Sequence, residues 1–182
     1  MPRIPFPEFD AMREDVRKSI GDDPANVVRM LAGLSPEVNR GFGALTEALF
    51  KRSPLPATLR EIAIVRVGHL CGSAYEVFQH EPFARHVGVS ETQLAQLSED
   101  RPDRDHFDEA ERAVLAFTDD LVRNVRASDE TLAGVRAHLD DPCVLDLILV
   151  IGTYMTVSRF LETTGVEIDD RPIDWDAYSK RD

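Results

Sequence analysis

At 182 residues, 43% of them hydrophobic, the chain is long enough to bury one sizeable core and suits one domain better than two. Its 21 basic residues stand against 33 acidic ones, and the resulting net charge of -12 repels nucleic-acid phosphates and anionic lipid, excluding both as expected partners. Two cysteines, Cys71 and Cys143, make no disulfide framework and stand in no Cys-x-x-Cys or zinc-ligand spacing, so a reducing, cytoplasmic setting fits; no residue spacing announces a metal site.

The first residues, MPRIPFPEFDAMRED, carry no apolar leader core. Met1 to Pro7 holds three prolines and is expected to form an extended arm; Phe9, Met12, Val16 and Ile20 then mark a short amphipathic helix ending near Gly21. Asp23-Pro24 opens another turn of helix over Ala25 to Leu31. Ser35-Pro36, a cap followed by proline at the first helical position, opens a helix with Val38, Phe42, Leu45, Leu49 and Phe50 as its apolar stripe. Further on, Ser90-Glu91-Thr92-Gln93 reads as a capping box for a short helix to Leu97, and the charged run Ser98 to His106 as a surface loop. Asp108 to Glu111 caps a long helix through Val114, Leu115, Phe117, Leu121 and Val125, and Ser128 caps the next, to Leu139. Asp141-Pro142 opens the last helix, Val144 to Thr164. It is apolar nearly all round, predicting a place in the core or between subunits, and Gly165 ends it. Its apolar stretch to Val157 is broken by Asp146 and is shorter than a membrane span requires. The acidic tail is expected to be peripheral, with Trp175 and Tyr178 able to dock on a neighbour. No strand alternation competes with this all-α reading. As one domain it divides into an N-terminal helical extension over 1–34, a core over 35–166 and a tail over 167–182.

Between Leu55 and Gly88 every polar residue suited to chemistry falls inside an apolar framework. Pro56 starts a helix in which Leu59, Ile62, Ala63, Val65, Arg66, Val67 and Leu70 form a largely buried pattern with one acid, Glu61. After a break at Cys71-Gly72-Ser73 a second helix carries Tyr75, Val77, Phe78, Phe83 and Ala84, with Pro82 expected to bend or interrupt it and Gly88 to end it. On this helix Ser73, Glu76 and His80 fall within roughly 60° of one another, at about 100° per residue. Ser73-Ala-Tyr-Glu76 also fits a capping box, and the two roles are compatible. A helix start facing a pocket adds partial positive charge, suited to an anion or a developing oxyanion near Ser73.

The runs L-P-x-x-L-R-E-x-A-I-x-R-V, G-S-x-Y-E-x-x-x-H and A-R-x-x-G-x-S resemble the carboxymuconolactone decarboxylase family and its redox branch, the alkylhydroperoxidase-D (AhpD) type. The resemblance is dense over about Leu55 to Leu97 and looser from Glu109 to Val166. It implies an all-α AhpD-like helical bundle, homo-oligomers such as trimers or hexamers, and a site built from a Glu on the first helix, a Cys-x-x-Cys opening the second, and a His four residues later. Glu61 and His80 match, while Ser73 and Glu76 stand where the two cysteines would be.

His80 is the candidate general acid or base, because an imidazole changes charge near neutral pH. Glu61 either orients it or, once desolvated, is itself the base; the plain alternative is an ion pair with Arg60, Arg66 or Arg85. Glu76, four before His80, and Ser73 position substrate and water. Arg66 and Tyr154 are candidates to bind substrate, Arg66 through a carboxylate and Tyr154 by closing a pocket; the plain reading of Tyr154 is a core ring. Cys71 would point roughly 160° from Ser73 on an extended helix, reading as a small buried residue rather than as the replacement thiol. The expected function is decarboxylase-like proton transfer on a small organic acid or lactone, chemistry that needs no cofactor. Peroxide reduction of the peroxiredoxin type through Cys71, and an oligomeric ligand-binding protein without catalysis, are the alternatives.

Overall fold

Most of the helices begin at a polar side chain or a proline, which suits the unpaired amides of a first turn. In the computed structural model the described residues are 1–8, 10, 12, 14–20 and 23–174. The helices run, in order, α1 (Glu14–Ile20), α2 (Asn26–Leu31), α3 (Pro36–Lys51), α4 (Ala57–Leu70), α5 (Ala74–His86), α6 (Glu91–Ser98), a 3-10 turn (Arg104–His106), α7 (Glu109–Asn124), α8 (Asp129–Arg136) and α9 (Asp141–Thr164). No strand occurs among the described residues, so the all-α expectation holds. Capping boxes close α6 at Ser90 and Gln93 and α7 at Asp108 and Glu111, and Ser128 caps α8 by accepting from the amide of Thr131. Helix α9 differs in detail: its cap is Asp140, which accepts from the Cys143 amide at 3.0 Å, with Asp141 and Pro142 already inside the helix. Phe9, Gly21, Trp175 and Tyr178 lie outside the described residues.

The chain forms two compact units, one of residues 53–159 and one of residues 1–52 with the chain from Phe160 onward. In the latter, the N-terminal arm is held by its backbone, with the Arg3 amide donating to the Thr164 carbonyl at 2.6 Å. Asn26 donates to Asp169 and to the Glu167 carbonyl, so the first part of the acidic segment ties back to α2. Helix α3 keeps its predicted start, yet only Leu49 of its stripe is buried, while Val38 and Leu45 face outward.

The larger unit is organised on α4, whose residues 59 to 68 are all buried because α5, α6 and α7 pack on different sides of it. Ile62, Val65, Ala84, Val89, Leu94, Leu97, Phe107 and Leu115 make its core. Enclosure on this scale explains why α4 lacks amphipathic periodicity. Helix α9 is buried along one side only. Leu147, Val150, Ile151, Tyr154 and Val157 are buried, but Leu145 is 62% exposed, and Ile148 and Leu149 also face outward. The helix is long and apolar enough to cross a membrane by composition, yet half of that stretch is buried in the protein and Asp146 accepts from the Ser53 hydroxyl at 2.5 Å. Helix α5 continues through Pro82 to His86, so of the bend or interruption expected there the interruption does not occur. A helix tolerates the lost amide donor when neighbours hold it in place.

Candidate active site

The turn between α4 and α5 positions the candidate residues. Gly72 adopts φ +66°, its amide donates to the His69 carbonyl at 3.1 Å, and the Ser73 amide donates back to Gly68 at 2.9 Å. This double bond pattern ends α4 and reverses the chain within two residues, which a side chain at position 72 would strain. The reversal brings α5 against α4 so closely that a Cβ on Gly68 would stand 3.1 Å from Val77 Cγ2 and 3.4 Å from Glu76 Cβ. Glu76 is thereby pressed on α4, one turn along α5 from Ser73.

Glu61 and His80 meet across this interface. His80 Nδ1 lies 2.8 Å from Glu61 Oε2, and Arg60 Nε donates to Glu61 Oε1 at 3.1 Å, so both carboxylate oxygens are engaged. An ionised carboxylate only accepts, so opposite Glu61 it is Nδ1 that donates, and the other ring nitrogen, Nε2, points toward Glu76. Nε2 faces Glu76 Oε2 at 3.8 Å, longer than a hydrogen bond and short enough for one bridging oxygen. The Tyr154 ring meets the imidazole edge-on, with centroids 4.8 Å apart, and fixes its plane from α9. Arg60 lies over the Phe83 ring at 5.9 Å.

The start of α5 corrects the capping reading. Ser73 is the cap residue by position, but its side chain accepts from no helix amide, and its hydroxyl has no hydrogen-bond partner although the residue is 0% exposed. Glu76, 3% exposed, also leaves Oε2 unpaired. Burial raises the Glu76 carboxyl to about 7; the neighbouring His80 opposes that rise and Glu61 adds to it. Unpaired buried polar atoms are costly, and two of them stand at this one helix start.

Arg66 does not serve this cluster. Its guanidinium donates to both Asp119 oxygens, at 2.7 and 3.3 Å, and to the carbonyls of Leu97, Glu99 and Asp100. All five of its N–H groups are spent, leaving none for a substrate carboxylate. Cys71 lies past the end of α4 with its thiol toward Ser158 and Arg159 of α9, and burial pushes that thiol up. Cys143 is buried, its thiol raised to about 11 by burial and by Asp140. Neither is an activated nucleophile. Among the described residues no group of three or more His, Cys, Asp and Glu side chains is arranged to hold a metal. Arg60 is the site residue that the sequence pattern does not single out. There it is one of three possible partners for Glu61, whereas in the fold the carboxylate binds it and His80 at once.

Fold and site together define an all-helical protein with a buried carboxylate–imidazole–carboxylate array and no thiol pair. The profile of the Carboxymuconolactone decarboxylase family matches residues 36–120, and the chain is 30% identical over 121 residues to the uncharacterized protein YdfG of Bacillus subtilis, covering 65% of this chain and 82% of YdfG. This chain belongs to the carboxymuconolactone decarboxylase family, with an AhpD-like fold. An AhpD-core structure of an uncharacterized peroxidase-related protein from Ralstonia eutropha superposes with a TM-score of 0.79 at 23% identity, over 93% of each chain. The debrominase Bmp8, solved as a cysteine-to-alanine variant in complex with 2,3,4-tribromopyrrole, matches with a TM-score of 0.70 at 19% identity, over 92% of this chain and 91% of that one. Proteins of this fold thus include an enzyme, the debrominase.

Proposed function

We propose that this protein is a proton-transfer enzyme of the carboxymuconolactone decarboxylase type, acting on a small organic acid or lactone. The observation that carries the reading is the buried line of Glu61, His80 and Glu76, in which one ring nitrogen is fixed by a carboxylate and the other faces a second acid. In this reading Glu61, held by Arg60, fixes the tautomer and ring orientation and stabilises the imidazolium that forms. His80 Nε2 moves the proton. Glu76, protonated up to about pH 7, donates to or receives from the substrate oxygen. Tyr154 walls the imidazole.

Peroxide reduction is disfavoured because Ser and Glu occupy the positions of the thiol pair and Cys71 faces α9 with a raised thiol. Proton exchange is the direct test. Small keto acids and lactones in D2O, followed by NMR, should lose their acidic C–H signals with wild type, and His80→Ala should slow that loss by about 10²-fold or more. An unchanged rate in His80→Ala overturns the proposal. So does hydroperoxide consumption with an added thiol reductant that disappears when Cys71 and Cys143 are both changed to Ser.

A further inference from the structure

Helix α5 runs for thirteen residues, and its first turn is left open. The first backbone bond into it is from the Val77 amide to the Ser73 carbonyl, at 3.2 Å. No side chain caps it, and among the described residues the amides of Ala74 and Glu76 reach no acceptor. Two further groups at the same place lack partners: the Ser73 hydroxyl, fully buried, and Glu76 Oε2, nearly so. The hydroxyl, the amides and a protonated carboxyl are all donors. Such a set, at the positive end of a helix, satisfies a negatively charged oxygen and little else.

We infer that the head of α5 is an oxyanion site and that the substrates are enolisable carbonyl compounds, keto acids or lactones, whose carbonyl oxygen is held by Ser73 Oγ and the amides beside it. The inference rests on the proton-transfer reading and narrows its substrate class. In the step it describes, His80 Nε2 takes the proton from the carbon next to the carbonyl. The C–H electron pair becomes the C=C bond of an enolate, and the carbonyl π pair moves onto oxygen. That oxygen, now negative, is held by Ser73 and the helix amides, or takes the proton of Glu76 to become an enol. Return of the proton from His80 to carbon, and in the enol case of the oxygen-bound proton to Glu76, restores the enzyme, with no oxidant or reductant consumed. The Ser73 hydroxyl is the group that distinguishes this arrangement from a capped helix start.

Oxalate, a planar dianion resembling an enolate beside a carboxylate, serves as the probe. Titrated into the wild-type protein, it should shift the backbone amide resonances of residues 74–76 saturably. Ser73→Ala should weaken binding by about tenfold, the loss of one hydrogen bond to a charged oxygen, and Ser73→Thr should retain it. Thermal unfolding of each variant checks that the fold is kept. Shifts confined to other parts of the chain, or affinity unaffected by Ser73→Ala, overturn the oxyanion site. His80→Ala separates this inference from the one beneath it. Oxalate bound by a variant that has lost proton exchange supports both, whereas oxalate bound where His80→Ala still exchanges protons leaves an oxyanion site without the proposed base.

Discussion

Helices α5 and α6 start with nearly the same sequence device and use it in opposite ways. At Ser90-Glu-Thr-Gln93 the side chains close on their own backbone: the Gln93 amide donates to Ser90 Oγ at 3.2 Å and the Ser90 amide donates to Gln93 Oε1 at 2.9 Å. At Ser73-Ala-Tyr-Glu76 neither bond forms, and the hydroxyl and one carboxyl oxygen remain unpaired in the interior. The far end of α6 is satisfied as well, because Arg66 holds the Leu97 and Glu99 carbonyls. A helix closed at both ends contributes stability, whereas one left open and buried does so at a cost.

The largest effect that bears on this contrast comes from the satisfied side. Arg66→Ala strands Asp119 and three carbonyls, and should lower unfolding stability by about 3 to 5 kcal/mol, measured by denaturant titration. A loss below about 1 kcal/mol would show that the clamp is ornamental.

Next comes Glu76 on the open side. Its folded carboxyl is raised from 4.5 to about 7, so the folded state keeps a proton that the unfolded chain has already released. Stability is therefore greatest below about pH 4.5 and falls as pH rises toward 7, by up to roughly 3 kcal/mol from this group. Glu76→Gln should remove that slope and raise the melting temperature at pH 8. The groups that face Glu76 bear on the same profile: His80 on α5, and Glu61 on α4, which Arg60 holds; Tyr154 of α9 lies against the His80 ring. An identical pH–stability curve for Glu76→Gln and wild type would remove the cost assigned to the open helix start.

The smallest effect is the most direct. Ser90→Ala should cost about 1 kcal/mol through loss of a helix cap, while Ser73→Ala should change stability by no more than roughly 0.5 kcal/mol. Equal losses at the two serines would mean that both are caps, and the open site would vanish with the difference.

Much of this was legible in the chain. The helix starts at Pro36, Ser90, Asp108 and Ser128 were readable because caps act within one turn, and the sequence holds everything they need. Glu61 and His80 stood out through their places in the family pattern, and the structure joins them at 2.8 Å. The reading of Arg66 as a substrate ligand failed because its partners, Asp119 and the carbonyls after α6, lie 31 to 53 residues away. At Pro82 the helix is not interrupted for a related reason: a local breaker is overridden when its helix is held by its neighbours.

Helical character, the capped starts and the residues able to move a proton are written in the chain itself, since each depends on neighbours a few positions apart. Which of two similar Ser-x-x-Glu/Gln motifs closes on itself and which stays open is settled only by packing, because the choice depends on burial. Gly68 and the Gly72 turn press Glu76 onto α4, within 3.8 Å of His80, and the carboxyl does not close back on the start of its own helix. Gln93 accepts from the Ser90 amide and donates to Glu111, completing its box.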